Sequence, residues 1–175
     1  MSRFLILDVE TTGLSPVKGD RVIEIALVEI IAGVITGKEY HTFINPGVAI
    51  SSAAYKTHGV TSSFLLGKPY FGDISAALVD FIADSVLVAH NATFDARFLF
   101  CEFRRLAIPF NYVFIDTLRI FRKLFPGRRN DLFSLCKRYA IACFKRHSAL
   151  YDARALSLLF LKLLRLKSMS FAKIA

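Results

Sequence analysis

The sequence predicts an α/β fold, a mixed β-sheet flanked by α-helices, in one domain over 1–175 with a core at about 3–166 and a short tail at 167–175. Two patterns carry this reading. The first part of the chain holds β-branched runs separated by turn residues, as in an antiparallel meander. The rest alternates helical-period apolar stretches with short apolar runs, the order expected of β-α-β units. A chain of 175 residues, without repeat or Pro/Ser-rich linker, can close such a core without disulfides or a structural metal.

Phe4 to Glu10 reads as a strand that Thr11-Thr12-Gly13 ends. Val22 to Ile31 and Val34 to Ile44, split by Ala32-Gly33, read as a hairpin, and Asn45-Pro46-Gly47 closes the meander. Glu24 and Glu29 are expected to be solvated on this hairpin. Asp73 to Ala83 carries helical spacing, and Val86 to Ala89 is a short buried strand. Thr93 to Leu106 is helical with Asn91 as a candidate N-cap, Tyr112 to Ile115 is a strand, and Thr117 to Leu124 is helical. Beyond Pro126-Gly127, Leu132 to Tyr139 and Leu150 to Leu166 are further helices. In the last one, Leu156, Leu159, Leu163 and Leu166 form a core or interaction stripe and not a cofactor box.

Lys and Arg total 23 against 14 Asp and Glu, a net charge of +9. Such a charge on a small domain points to a polyanionic partner, nucleic acid or a membrane surface. The apolar stretches are interrupted by Glu24, Glu29, Lys162 and Arg165, so none is read as a bilayer span. Acids already at Asp8 and Glu10 exclude a signal peptide. Cys101, Cys136 and Cys143 are odd in number and form no C-x-x-C pair, which fits a reducing cytoplasm better than a disulfide scaffold or zinc site.

The chemistry lies in the acids. Asp8 and Glu10 stand two residues apart on a strand, so both leave the same face. An apolar strand has no structural reason to present two like charges together, and a divalent cation removes the cost. Hard ions such as Mg²⁺ or Mn²⁺ want oxygen ligands, and a phosphodiester needs its charge neutralised before attack. Asp95 follows the His90-Asn91 turn and Asp152 follows His147, each in the first turn of a helix. There each acid also suits the helix dipole, so either alone is a weak signal. His90 and His147 each precede an acid by five residues, which leaves two candidates for a general base.

Asp8-Val9-Glu10-Thr11-Thr12-Gly13-Leu14, His90 to Asp95 and His147 to Asp152 resemble, in order, the three exonuclease motifs of the DnaQ-like DEDDh 3′-5′ exonuclease family. Tyr55 to Val60, Phe64 to Pro69 and Phe125 to Tyr139 are similar to the epsilon-type proofreading subunits of bacterial DNA polymerase III, and His147 to Ala153 is also similar to ribonuclease T. The resemblance covers about Arg3 to Leu164 and implies a ribonuclease-H-like sheet. It implies a two-metal site with ions roughly 4 Å apart. Asp8 would bridge both ions, Glu10 and Asp152 would complete the nucleophile site, and Asp95 would orient the second ion. His147, in the loop before its helix, would take the proton from water. Thr11, Thr12, Gly13 and Leu14 would contact the terminal nucleotide, with Leu14 as a wedge and His58 and Phe94 as further contacts.

The same resemblance implies DNA proofreading beside a replicative polymerase's catalytic subunit, on single-stranded or frayed 3′ ends. A free-standing exonuclease acting on RNA ends or in DNA repair is the alternative. The family's polymerase subunits use a C-terminal extension as a tether; only Lys167 to Ala175 follow Leu166, so attachment that way is not expected unless the chain was shortened. Asp116 reads as an N-cap or a supporting acid and not a ligand. Arg119, Arg122, Lys123, Arg128 and Arg129 are candidates for steering a phosphate backbone.

Overall fold

The computed structural model describes residues 2–143 and 147–166; the expected tail at 167–175 and the side chain of Leu166 lie outside the described residues. Five strands form one mixed sheet: β1 (Arg3–Thr11), β2 (Val22–Ile31), β3 (Val34–Phe43), β4 (Val86–Ala89) and β5 (Phe114–Asp116), in spatial order β3-β2-β1-β4-β5. β1, β2 and β3 are antiparallel neighbours, as the meander predicts, and β4 and β5 run parallel to β1.

Helices cover both faces, because β1 and β2 are apolar on both. On one side Leu5, Leu7, Ile25 and Leu27 pack against α3 (Phe71–Ile82) and α4 (Ala92–Arg105). On the other, Ile6, Ala26, Val28 and Ile30 pack against α5 (Thr117–Leu124), α6 (Leu132–Arg138) and α7 (Ala149–Leu166). Leu156, Leu159 and Leu163 of α7 are fully buried, so the leucine stripe is core.

Two short helices and a turn of 3-10 helix, α1 (Ser52–His58), α2 (Ser62–Leu65) and Pro16–Lys18, have no periodic apolar signature and were not expected. Local capping holds the two helices: the Thr61 hydroxyl accepts from the Phe64 amide in α2, the Ser51 hydroxyl accepts from the Ala54 amide in α1, and Gly59 closes α1 in the left-handed region at φ 71°. Asn91 occupies the N-cap position of α4 without a capping hydrogen bond. Its φ of 75° instead turns the chain sharply from β4 into α4, while its amide donates to Asp116. Asp116 caps α5 as expected, accepting from Leu118 and Arg119.

The hairpin acids are a correction. Glu24 and Glu29 are 1% and 2% exposed, not solvated. Glu29 pairs with Arg3 at 2.6 Å, and that guanidinium also donates to the end of α3. Glu24 meets His41 and Ser148, at 2.9 and 3.2 Å. Both faces of β2 are covered by helices, so alternation along that strand carries no information about solvent.

Candidate active site

The pairing register opens the site. β1 pairs with β4 only over Phe4–Ile6, so Asp8 and Glu10 run on past the last β4 partner. α4 enters above this gap, and the free Val9 amide donates to the Asp95 carboxylate. From the other face the start of α7 brings in His147 and Asp152. The result is a cavity of about 630 Å³, open to solvent, lined by Asp8, Glu10, Asp95, Asp152 and His147 together with Thr11, Gly13, Leu14, His58 and Phe94. Every candidate site residue faces this cavity except Thr12. That side chain is fully buried, and its hydroxyl bonds Asp20 and the Arg21 amide, bracing the turn from within.

Ligand atoms of Glu10, His147 and Asp152 lie within 4.8 Å of one another. His147 sits at φ 57°, in the left-handed region, and its amide donates to the Asp152 carboxylate at 2.9 Å. That bond bends the loop back over the first turn of α7. His90 lines the same cavity but is differently committed: Nδ1 lies 2.9 Å from the Thr117 hydroxyl and Nε2 lies 2.8 Å from the Asn130 carbonyl. Burial holds the rings of His90 and His58 below the usual histidine range, which favours their neutral form.

Sequence reasoning missed one wall of the cavity. Ser51, Ala53, Ala54 and Thr57 of the α1 segment line it opposite the acids, as do Ser15, Lys18 and Asp20. The cap residues Ser51 and Gly59 were the available signal. Asp20 holds the 11–15 turn by accepting from the Thr12 hydroxyl and the Ser15 amide, and any side chain at Gly13 would overlap its carboxylate. The basic residues divide differently. Arg119 and Lys123 line separate grooves beside β5 and α5, outside the acid cavity.

The acids crowd one another. Burial first, then Asp95, Glu10, Asp152 and Glu24, push Asp8 well above the usual carboxylate range. Burial, with Glu24, Asp152 and Asp95, raises Glu10 to about 8. Burial raises Asp95 to about 8, against hydrogen bonds from its own amide and that of Val9. Crowded, mutually repelling carboxylates, with no cationic side chain among the described partners of Asp8, Glu10 and Asp95, offer the oxygen donors that suit a hard divalent cation.

A family model described as "Exonuclease" matches residues 5–160. The chain belongs to this exonuclease family. The DNA polymerase III subunit epsilon of Buchnera aphidicola subsp. Acyrthosiphon pisum is 44% identical over 169 residues, covering 91% of this chain and 71% of that protein. The subunit of that name from Salmonella typhimurium is 40% identical over 172 residues, covering 92% and 71%. Among solved structures, exonuclease X in complex with 5′ overhanging duplex DNA superposes with a TM-score of 0.77 at 26% identity, covering 97% of this chain and 95% of that one. The nuclease domain of 3′hExo, a DEDDh member bound to rAMP, shares the fold, with a TM-score of 0.80 at 14% identity, covering 94% and 92%. This exonuclease therefore has the expected mixed-sheet, ribonuclease-H-like architecture, and metal-dependent hydrolysis is the chemistry of its family. Among its described residues, no helix is long and apolar enough to cross a membrane.

The raised acids give the metal-free exonuclease a testable pH dependence. Glu10 and Asp95 rise from ordinary values of 4.5 and 3.8 to about 8, so the folded chain holds protons there that the unfolded chain releases. Their contribution to stability is full below the ordinary carboxylate range and is lost as pH rises through about 8. The melting temperature of metal-free protein is expected to drop between about pH 5 and pH 8, with Glu10→Gln flattening the drop. Adding Mg²⁺ near pH 7 should release protons, read from the dependence of the binding heat on the buffer's ionisation enthalpy. Binding without proton release would show that these acids are not the ones a cation meets.

Proposed function

We propose that the chain removes nucleotides one at a time from DNA 3′ ends, as the proofreading exonuclease beside the catalytic subunit of a replicative polymerase. The observation that carries this reading is the single cavity in which Asp8, Glu10, Asp95, Asp152 and His147 meet. The relatives named DNA polymerase III subunit epsilon, at 40–44% identity, support the proofreading assignment.

Asp8, Glu10, Asp95 and Asp152 are the residues that would hold two divalent cations, Mg²⁺ or Mn²⁺. When bound, these would supply charge neutralisation on the phosphodiester and an acidified water. His147 takes the proton of the attacking water on its ring, the task for which a neutral imidazole is suited. The turn at Thr11, Gly13 and Leu14 ends the cavity beside the acids and so stops the terminal nucleotide. Leu14, apolar and 83% exposed, is placed to wedge against the last bases. Phe94 and His58 line the cavity where a nucleotide would lie. Arg119 and Lys123 remain available to draw in the phosphate backbone. We infer a cytoplasmic location from this reading together with the three free cysteines.

Digestion of matched 5′-labelled single-stranded DNA and RNA, with Mg²⁺ or Mn²⁺, tests substrate and polarity together. The expected result is a ladder shortening from the 3′ end by single nucleotides, with DNA consumed faster than RNA and circular single-stranded DNA left intact. Rapid cutting of the circle would show an endonuclease and remove the end-stop role of Leu14. Preference for RNA would move the reading to a ribonuclease T-like enzyme.

A further inference from the structure

Glu24 lies outside all three acid-bearing motifs, yet it stands directly across the sheet from Glu10 in the β1–β2 register. Its face of β2 continues through Ala26, Val28 and Ile30 into the core under α7. A carboxylate in such a place is costly unless its hydrogen bonds hold something the protein needs. Two groups reach Glu24 Oε1: His41 Nε2 at 2.9 Å from β3, and the Ser148 hydroxyl at 3.2 Å. Ser148 is buried and immediately follows His147.

The loop that carries His147 is therefore clamped from two directions. The His147 amide donates to Asp152, and the Asp152 amide donates to the Ser148 carbonyl, which ties the loop to α7. The Ser148 hydroxyl donates to Glu24, which ties it to the sheet. His147 needs both ties because its φ of 57° is a conformation that a residue with a side chain seldom holds unaided. We propose that Glu24 is a positioning residue for hydrolysis: acting through Ser148, it fixes the backbone from which His147 addresses the attacking water. This inference rests on the reading of His147 as the general base.

The test compares single-turnover rate, KM and melting temperature for Glu24→Ala, Glu24→Gln, Ser148→Ala, His147→Ala and the double variant Glu24→Ala/His147→Ala. Glu24→Ala is expected to lower the rate about 10²-fold, the size of effect that follows from misplacing a reacting group by about 1 Å, with KM little changed. Glu24→Gln keeps an oxygen for Ser148 and should regain most of that rate, while Ser148→Ala should reproduce the loss with Glu24 in place. At saturating Mg²⁺, where a change in the charge that Glu24 lends to Asp8 and Glu10 is made up by added cation, the double variant should be no slower than His147→Ala alone, because the positioning role runs through the residue already removed. Losses that multiply, a change confined to KM, or a full rate in folded Glu24→Ala would overturn the proposal. Full activity in His147→Ala would overturn the base reading and this inference together. A slow His147→Ala beside an unimpaired Glu24→Ala would overturn this inference alone.

Discussion

Asp8→Ala is expected to remove nearly all hydrolysis while raising the melting temperature of the metal-free protein. The two effects share one cause. Asp8 sits on β1 next to the apolar Ile6, opposite Ala26, with no described hydrogen bond to its carboxylate. Burial and four neighbouring acids, Asp95, Glu10, Asp152 and Glu24, push its pKa well above the usual range. An acid raised in the folded state favours folding while protonated and loses that contribution as it ionises, so once ionised Asp8 opposes the fold. Alanine suits the strand and faces an open cavity, so no packing is lost. The gain in melting temperature should grow as pH rises and shrink toward the ordinary carboxylate range. Hydrolysis needs that same charge density: several kcal/mol of transition-state stabilisation depend on the metal site, and losing about 4 kcal/mol corresponds to about 10³-fold in rate. Asp152→Ala should lose activity to a similar degree with less gain in stability, because it also breaks the bond to the His147 amide. Thermal scans in chelator, paired with rates at saturating Mg²⁺, measure both sides. Unfolding of Asp8→Ala, or full activity in it, would remove Asp8 from the metal site.

The second large effect separates the two histidines. His147→Ala is expected to lower kcat by roughly 10²–10⁴-fold with metal affinity little changed. His90→Ala should instead reduce stability and leave the rate of the folded protein within a few-fold. The hydrogen bonds make the distinction. The Asn130 carbonyl can only accept, so His90 Nε2 carries a proton, and Nδ1 faces the Thr117 hydroxyl. Neither nitrogen of His90 is left for a water. Removing its ring leaves the buried Asn130 contact unpaired, at a cost of about 1–3 kcal/mol. His147 has a ligand nitrogen within 4.8 Å of Glu10 and Asp152, where an attacking water would be held. Single-turnover rates measured on folded protein at saturating Mg²⁺ should therefore fall in His147→Ala and stay near the parent value in His90→Ala. The opposite pattern would move the chemistry to the second motif.

Much of the site was legible in the sequence because its geometry is local. A strand has a period of two, so Asp8 and Glu10 share a face whatever the strand packs against. Asp95 and Asp152 follow turn residues that open helices, and helices on a parallel strand pair start at the same sheet edge as the ends of β1 and β4. The meander and the later alternation likewise follow from periodicity within short windows, which is why the sheet and its main helices could be placed. α1 escaped because it is held by its caps, Ser51 and Gly59, and not by an apolar stripe.

Other features depended on partners far along the chain. Glu24 looked like a solvated hairpin acid, and nothing local distinguishes it. Its burial is decided by α7 covering that face of β2 and by Ser148, 124 residues away, donating to it. Thr12 belongs to the same motif as Thr11, yet its hydroxyl turns inward because Asp20 and Arg21 fold back beneath the turn. The choice between His90 and His147 was open on spacing alone, since both precede an acid by five residues. The proposal of His147 draws support from Thr117 and Asn130, which reach the His90 ring only once α5 and the following loop pack beside β4. The sequence by itself determined which side chains carry charge, which share a face and where helices begin. The tertiary structure alone decided which of those groups lost water, because desolvation depends on what arrives from the rest of the chain, and loss of water is what raises these acids and ties down the histidine.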